Sequence, residues 1–303
     1  MENDQGTGSW VLPCGHEVVD REQTHYCEYI SIVPLLALIG PNRATRPREF
    51  NHHDEFQFVV VHQIAELAFA VHLHTLRAVI RALVADKLPH AEALLARVIQ
   101  WTKFHTHLVC LLFTMKPEDF FQFRAPLAPA SGAESYQFRE IEILSGMRAE
   151  SDYAEGHGKK FTFRQSIDRQ PGKSPGQFQS RWWLERFNGL LNELSLAKAF
   201  DEMLARKGLT LAALFSLQHA GDEYQILRRI ARKLYEYENA FTTYRERHAD
   251  AALHQIGGEP GTAGTEGVGY LRAVARIARF HPELHAFMDK RRKEKESGKA
   301  WEL

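Results

Sequence analysis

The stretch DEFQFVVVHQIAELAFAVHLHTLRAVIRALVA, residues 54–85, decides the fold class. Its apolar residues Phe58, Val61, Ala65, Phe69, Leu76, Val79, Ile80 and Leu83 recur at three- and four-residue spacing, without proline or glycine between them. That is the period of a helix burying one face. The longest apolar run, residues 58–84, is divided by His62, Gln63, Glu66, His72, His74, Arg77 and Arg81, and is too polar to span a bilayer.

The helical pattern continues on the C-terminal side. A second helix is expected over residues 90–115, ended by Lys116-Pro117, because the proline ring disfavours helix at the residue before it. Pro117 suits the first turn of a short helix carrying Glu118, Asp119, Phe120, Phe123 and Arg124. Residues 125–132 predict a loop and 136–144 a helix. Residues 150–180, rich in Gly, Ser, Lys and Gln, predict an exposed, flexible connection or lid. Further helices are expected over residues 182–207, 210–219 and 222–256. The run GGEPGTAGTEGVG, with six of the chain's 20 glycines, separates these from a helix over 270–279. A last helix after Pro282 runs into the solvated tail MDKRRKEKESGK. No repeat and no sustained alternation is visible, so the expectation is a single all-α domain over residues 1–303.

Composition narrows the class. The 303 residues include 38 basic and 38 acidic side chains and are 44% hydrophobic, which excludes general disorder and gives no reason to expect nucleic acid or an anionic membrane as partner. Cys14, Cys27 and Cys110 form no CxxC pair, which argues against a disulfide framework or a cysteine zinc site. The start MENDQGTGSW lacks the character of a signal peptide, so a cytoplasmic location is expected. The excess to be explained is the 16 histidines.

HExxH, Gly-x-Ser-x-Gly, Walker and GxGxxG patterns are all missing from the sequence. The pairs His72/His74 and His281/His285 lack metalloprotease context and are expected at the surface. His62 shares a helix face with Phe58, four residues before it. An imidazole in so apolar a run is either a core histidine bonded to Glu66, the commoner arrangement, or a ligand. Phe120 and Arg124 repeat the aromatic-plus-polar spacing, and an arginine beside an apolar surface suits a planar carboxylate unless Glu118 or Asp119 pairs with it. His248 is followed by the small residues Ala249, Ala251 and Ala252. It is either structural or an imidazole with cleared space, as an axial haem ligand requires. Thr262 offers a hydroxyl on a loop able to fold over a ligand. Together these residues suit an amino acid with an aromatic side chain.

Four segments, in this order, resemble the tryptophan 2,3-dioxygenase superfamily of histidine-ligated haem enzymes. They are YCEYISIVPLL from Tyr26, HDEFQFVVVHQIAEL from His53, DFFQFRAPLAPASGAESYQFREIE from Asp119, and YRERHADAALHQIGGEPGTAGTEGVGYLR from Tyr244. The third is the most specific. The resemblance implies a helical bundle around a b-type haem, with dioxygen as co-substrate. His248 would be the proximal haem ligand and His62 the distal histidine near the indole N–H. Phe58 and Phe120 would pack the aromatic ring, Arg124 would hold the carboxylate, Ser131 would line the pocket, and Thr262 would contact the ammonium. Tyr26 and Tyr29, in an arm over about residues 1–40, would close a neighbouring subunit's pocket in a homotetramer or homodimer.

The sequence departs from the family pattern at three places. Glu-Leu-Trp-Phe-Lys reads Glu66-Leu67-Ala68-Phe69-Ala70. The glycine loop reads Gly261-Thr262-Ala263-Gly264-Thr265-Glu266-Gly267, and Ser-Gly-Phe-Gln-Ser reads Ser131-Gly132-Ala133-Glu134-Ser135. The activity implied is insertion of dioxygen into the indole of L-tryptophan or a close derivative, giving an N-formylkynurenine-type product. The alternatives are a monooxygenase giving a 2-oxindole or hydroxylated aromatic amino acid, and a non-catalytic helical homologue.

Overall fold

The structure is a computed structural model that describes residues 10–11, 17–18, 26–39, 50, 52–127, 132, 135–156, 159–168, 181–216, 221–261 and 267–297. It falls into two units, residues 1–60 and 61–303. The first holds a two-stranded antiparallel pair, β1 (Trp10–Val11) and β2 (Glu17–Val18), the short helices α1 (Tyr26–Tyr29) and α2 (Ile32–Ala37), and the start of α3 (His53–Val84).

In the second unit, α3 is followed by α4 (Leu88–Cys110), a 3-10 turn (Leu111–Thr114), α5 (Pro117–Leu127) and α6 (Tyr136–Ser145). By length and mean hydropathy α3 could cross a membrane, but half of its most apolar window is buried in protein. That is the character of a core helix. Pro117 starts α5, as expected of a residue with no N–H to leave unpaired. The all-α expectation holds for the framework.

The long helix α11 (Asp222–Ile256) packs along α4. Its buried positions Leu227, Ile230, Leu234, Phe241 and Tyr244 repeat at three- to seven-residue intervals on one face. Opposite them lie Leu94, Leu95, Val98, Ile99 and Leu108 of α4, all buried. Each fully buried Leu or Ile contributes about 1.5–3 kcal/mol relative to exposure.

Two expectations need correction. Of residues 150–180, residues 157–158 and 169–180 lie outside the described residues; the described part is neither lid nor loose connection, because β3 (Asp152–Gly156) and β4 (Lys159–Thr162) pair antiparallel and β4 leads into α7 (Phe163–Asp168). Tyr153, Ala154 and Phe163 are buried, and β3 packs on α12 (Val268–Ile277), so the short strands are selected by tertiary burial rather than by their own alternation. The helix expected over 182–207 is two, α8 (Arg181–Leu191) and α9 (Leu196–Arg206). Ser195 separates them by capping α9, its Oγ accepting from the Lys198 amide at 3.3 Å. The remaining helices are α10 (Leu211–Ser216) and α13 (Pro282–Glu296).

Gly146 ends α6 at φ 155°, and a Cβ there would meet the Phe280 carbonyl oxygen at 2.1 Å. Only glycine allows that approach.

Candidate active site

His248 lies in the C-terminal third of α11, half-buried, with its ring parallel to that of Tyr244 one turn earlier (centroids 6.2 Å apart, planes at 9°). Burial, and then the neighbouring His62, push its imidazole down to about 4. It is therefore neutral at physiological pH. Among the described residues neither ring nitrogen makes a hydrogen bond. A neutral imidazole with unspent nitrogens is the donor that haem iron requires. Ala249 and Ala251 are fully buried, so the space cleared beside them is filled by protein; Ala252 remains half-buried.

His62 is exposed on α3 and acts electrostatically on His248. The core reading is thereby overturned. Glu66, the partner that reading required, is held from α6: Gln137 Nε2 donates to its Oε2 at 2.7 Å and to its carbonyl at 2.9 Å. These two bonds fix α3 one turn beyond His62. Phe58 is half-buried one turn before it.

Phe120 is buried on α5, its ring edge-to-face with Phe121 and Phe123. The Arg124 guanidinium leans over Phe121, 5.2 Å from the ring centroid, and Nη2 donates to the Pro260 carbonyl at 2.6 Å. Among the described residues no carboxylate pairs with it, so the ion pair with Glu118 or Asp119 does not form. The bond to Pro260 ties α5 to the root of the glycine loop. At the far end of that loop Gly267 takes φ 60°, where a Cβ would meet the Glu259 carbonyl oxygen at 2.9 Å. Ser131 and Thr262, like Glu134 and Glu266, lie outside the described residues. In the first unit, Tyr26 and Tyr29 are 75% and 80% exposed.

Spacing alone missed the anchor behind His248. Glu142, fully buried on α6, accepts from Arg139 Nη1 at 2.7 Å, Arg245 Nη2 at 2.7 Å and the Tyr153 hydroxyl at 2.9 Å. Arg245 precedes His248 by three residues and also donates to the Ala278 carbonyl at 3.2 Å. The charge-rich run Gln137–Glu142 could have signalled this, because so many polar residues in a core helix require mutual partners.

Two histidines expected at the surface are buried. His72 lies between His105 (3.4 Å) and the Tyr237 hydroxyl (3.1 Å), which also meets Ser145 Oγ at 2.7 Å. His281 bonds Asp201 at 2.9 Å, and its Nδ1 accepts from the Leu284 amide at 3.2 Å, capping α13. His74 is exposed as expected, and His285 is half-buried. In the first unit His52, His53 and Asp54 bring metal-ligating atoms within 4.8 Å of one another, but His53 Nε2 is paired with Asp54 at 2.8 Å.

A profile of the family described as tryptophan 2,3-dioxygenase matches residues 13–191. Over 233 residues, the chain is 32% identical to a tryptophan 2,3-dioxygenase of Pseudomonas aeruginosa, covering 77% of this chain and 80% of that protein. A Caulobacter vibrioides protein of the same name is 29% identical over 88% of this chain and 97% of its own length. One from Bacillus cereus is 29% identical over 87% of this chain and 91% of its own. The profile match and this coverage, together with the all-helical framework, make the chain a member of the tryptophan 2,3-dioxygenase family.

Proposed function

We infer that this protein is an oxygenase that inserts dioxygen into the indole ring of L-tryptophan, giving an N-formylkynurenine-type product. The names of the relatives favour this over the monooxygenase and non-catalytic readings. The observation that carries the haem assignment is His248, a neutral imidazole with unspent nitrogens beside His62. His248 would hold a b-type haem, whose iron supplies the redox chemistry with dioxygen.

The chain's own residues bind and orient. Arg124 grips the substrate carboxylate, which its unpaired charge supports. Thr262 contacts the ammonium and Ser131 lines the pocket. Phe58 and Phe120 pack the indole, and His62 accepts a hydrogen bond from the indole N–H, holding the ring for reaction. Fixing both ends of the amino acid supplies orientation that would otherwise be an entropic barrier. We take residues 1–303 as one functional domain in the cytoplasm. The arm over about residues 1–40 covers a neighbouring subunit's pocket with Tyr26 and Tyr29 in a homotetramer or homodimer, a reading supported by the exposure of both rings.

The test is aerobic turnover of the reduced, haem-loaded protein with L-tryptophan, read by mass spectrometry. Two added oxygen atoms are expected; one would establish the monooxygenase reading. A Soret band should be present in the wild type and lost in His248→Ala. If no band forms after haem supplementation, the haem assignment fails.

A further inference from the structure

A second site lies on the far half of α3. Ala70, His74, Arg77 and Arg81 fall at intervals of four, three and four residues, on one helix face. With Tyr136 and Arg186 they line a groove of about 280 Å³. Its floor is Glu140, whose side chain is 1% exposed and is held by Arg77 (3.4 Å) and by Arg186 Nε. Arg186 also stands over the Tyr136 ring, 5.5 Å from its centroid. Arg77, Arg81 and Arg186 thus line one groove with Glu140, which holds the first and third of them. Among the described residues the Arg81 guanidinium and the His74 imidazole have no hydrogen-bond or ion-pair partner.

Position 70 keeps the groove open. It is an exposed alanine on the groove wall, so no long side chain from this position fills the groove. Buried Glu140 pre-positions two of the guanidiniums, so little side-chain freedom is lost when an anion docks between them and Arg81.

We propose that this groove binds a small dianion, a phosphate group or a dicarboxylate, with Arg81 and Arg77 as principal contacts and His74 at the rim. The volume is at the lower end for ligand pockets, which limits the occupant to a compact molecule. The site is independent of the oxygenase assignment, because none of its residues takes part in that reading.

The test is calorimetric titration of the haem-loaded protein with inorganic phosphate and, separately, with succinate, at constant ionic strength. Saturable binding of at least one anion is expected, with one site per chain. Phosphate alone would identify a phosphate-type ligand, and succinate alone a dicarboxylate. Arg81→Ala should weaken binding by about tenfold or more, as expected for a lost charged hydrogen bond. Ala70→Glu should abolish it by placing a carboxylate in the groove. Arg97→Ala, on an exposed part of α4, should leave it unchanged. The proposal is overturned if neither anion saturates, if Arg81→Ala and Ala70→Glu bind as the wild type does, or if Arg97→Ala weakens binding as much as Arg81→Ala.

Discussion

α5 and α6 are neighbours in sequence and carry the same residue types, phenylalanine, arginine and glutamate, yet they use them oppositely. On α6 the charges are consumed: Glu142 takes three donors, Arg139 and Arg245 share it, and Glu140 is held by two arginines. On α5 Arg124 meets, among the described residues, only a backbone carbonyl and an aromatic face. Charged groups are withdrawn from water only when paired, so the α6 set belongs to the scaffold. A guanidinium held in place without a carboxylate is prepared to receive one. The difference between structure and function here lies in whether hydrogen-bonding capacity is spent.

The contrast is most exposed to failure at Glu142. Glu142→Ala leaves Arg139 and Arg245 buried without their anion, and should lower the unfolding free energy by about 3–5 kcal/mol in denaturant titrations. A loss below about 1 kcal/mol would remove the distinction between the two helices. Arg124→Ala should behave in the opposite way. Stability should change by less than about 1 kcal/mol, while turnover at low tryptophan drops roughly tenfold to a hundredfold, the worth of a charged hydrogen bond. Unchanged turnover would end its assignment to the substrate carboxylate. Arg124→Lys should not restore activity fully, because an ammonium cannot make the paired contact.

Acid should act on the scaffold side. Burial lowers the His105 imidazole to about 4, and burial with the neighbouring His105 lowers His72 well below its ordinary value. Both are neutral when folded but take up protons near 6.5 when unfolded. The stability they contribute is therefore present above pH 6.5 and lost as pH falls from there toward 4. The Tm of the haem-free protein should fall across that window, less steeply in His105→Gln. The smallest effect belongs to exposed pairs. Lys103–Glu236 is about half exposed on both sides, and Lys103→Ala should change stability by no more than about 1 kcal/mol.

Much of this was legible before the fold was known. The periodicity of α3 and α11 located both helices to within a residue or two, because a helix face written in apolar spacing is a local signal. The hairpin after residue 151 was not legible. Its strands are short, and their burial depends on α12, more than a hundred residues later. His72 shows the same limit for side chains. Its partners stand 33 and 165 residues away, so no local pattern distinguished it from a surface histidine. For His62 spacing leaves a core histidine and a ligand both open; its exposure, with the carboxylate one turn on held by Gln137, is a fact of the tertiary structure.

By itself the sequence determined the helical framework, the family and the residue types available for chemistry, since these follow from local periodicity and ordered motifs. Only the tertiary structure decided which of those residues are free to act. Whether an arginine or a histidine is already paired depends on contacts between distant parts of the chain, and burial decides what each unpaired group costs.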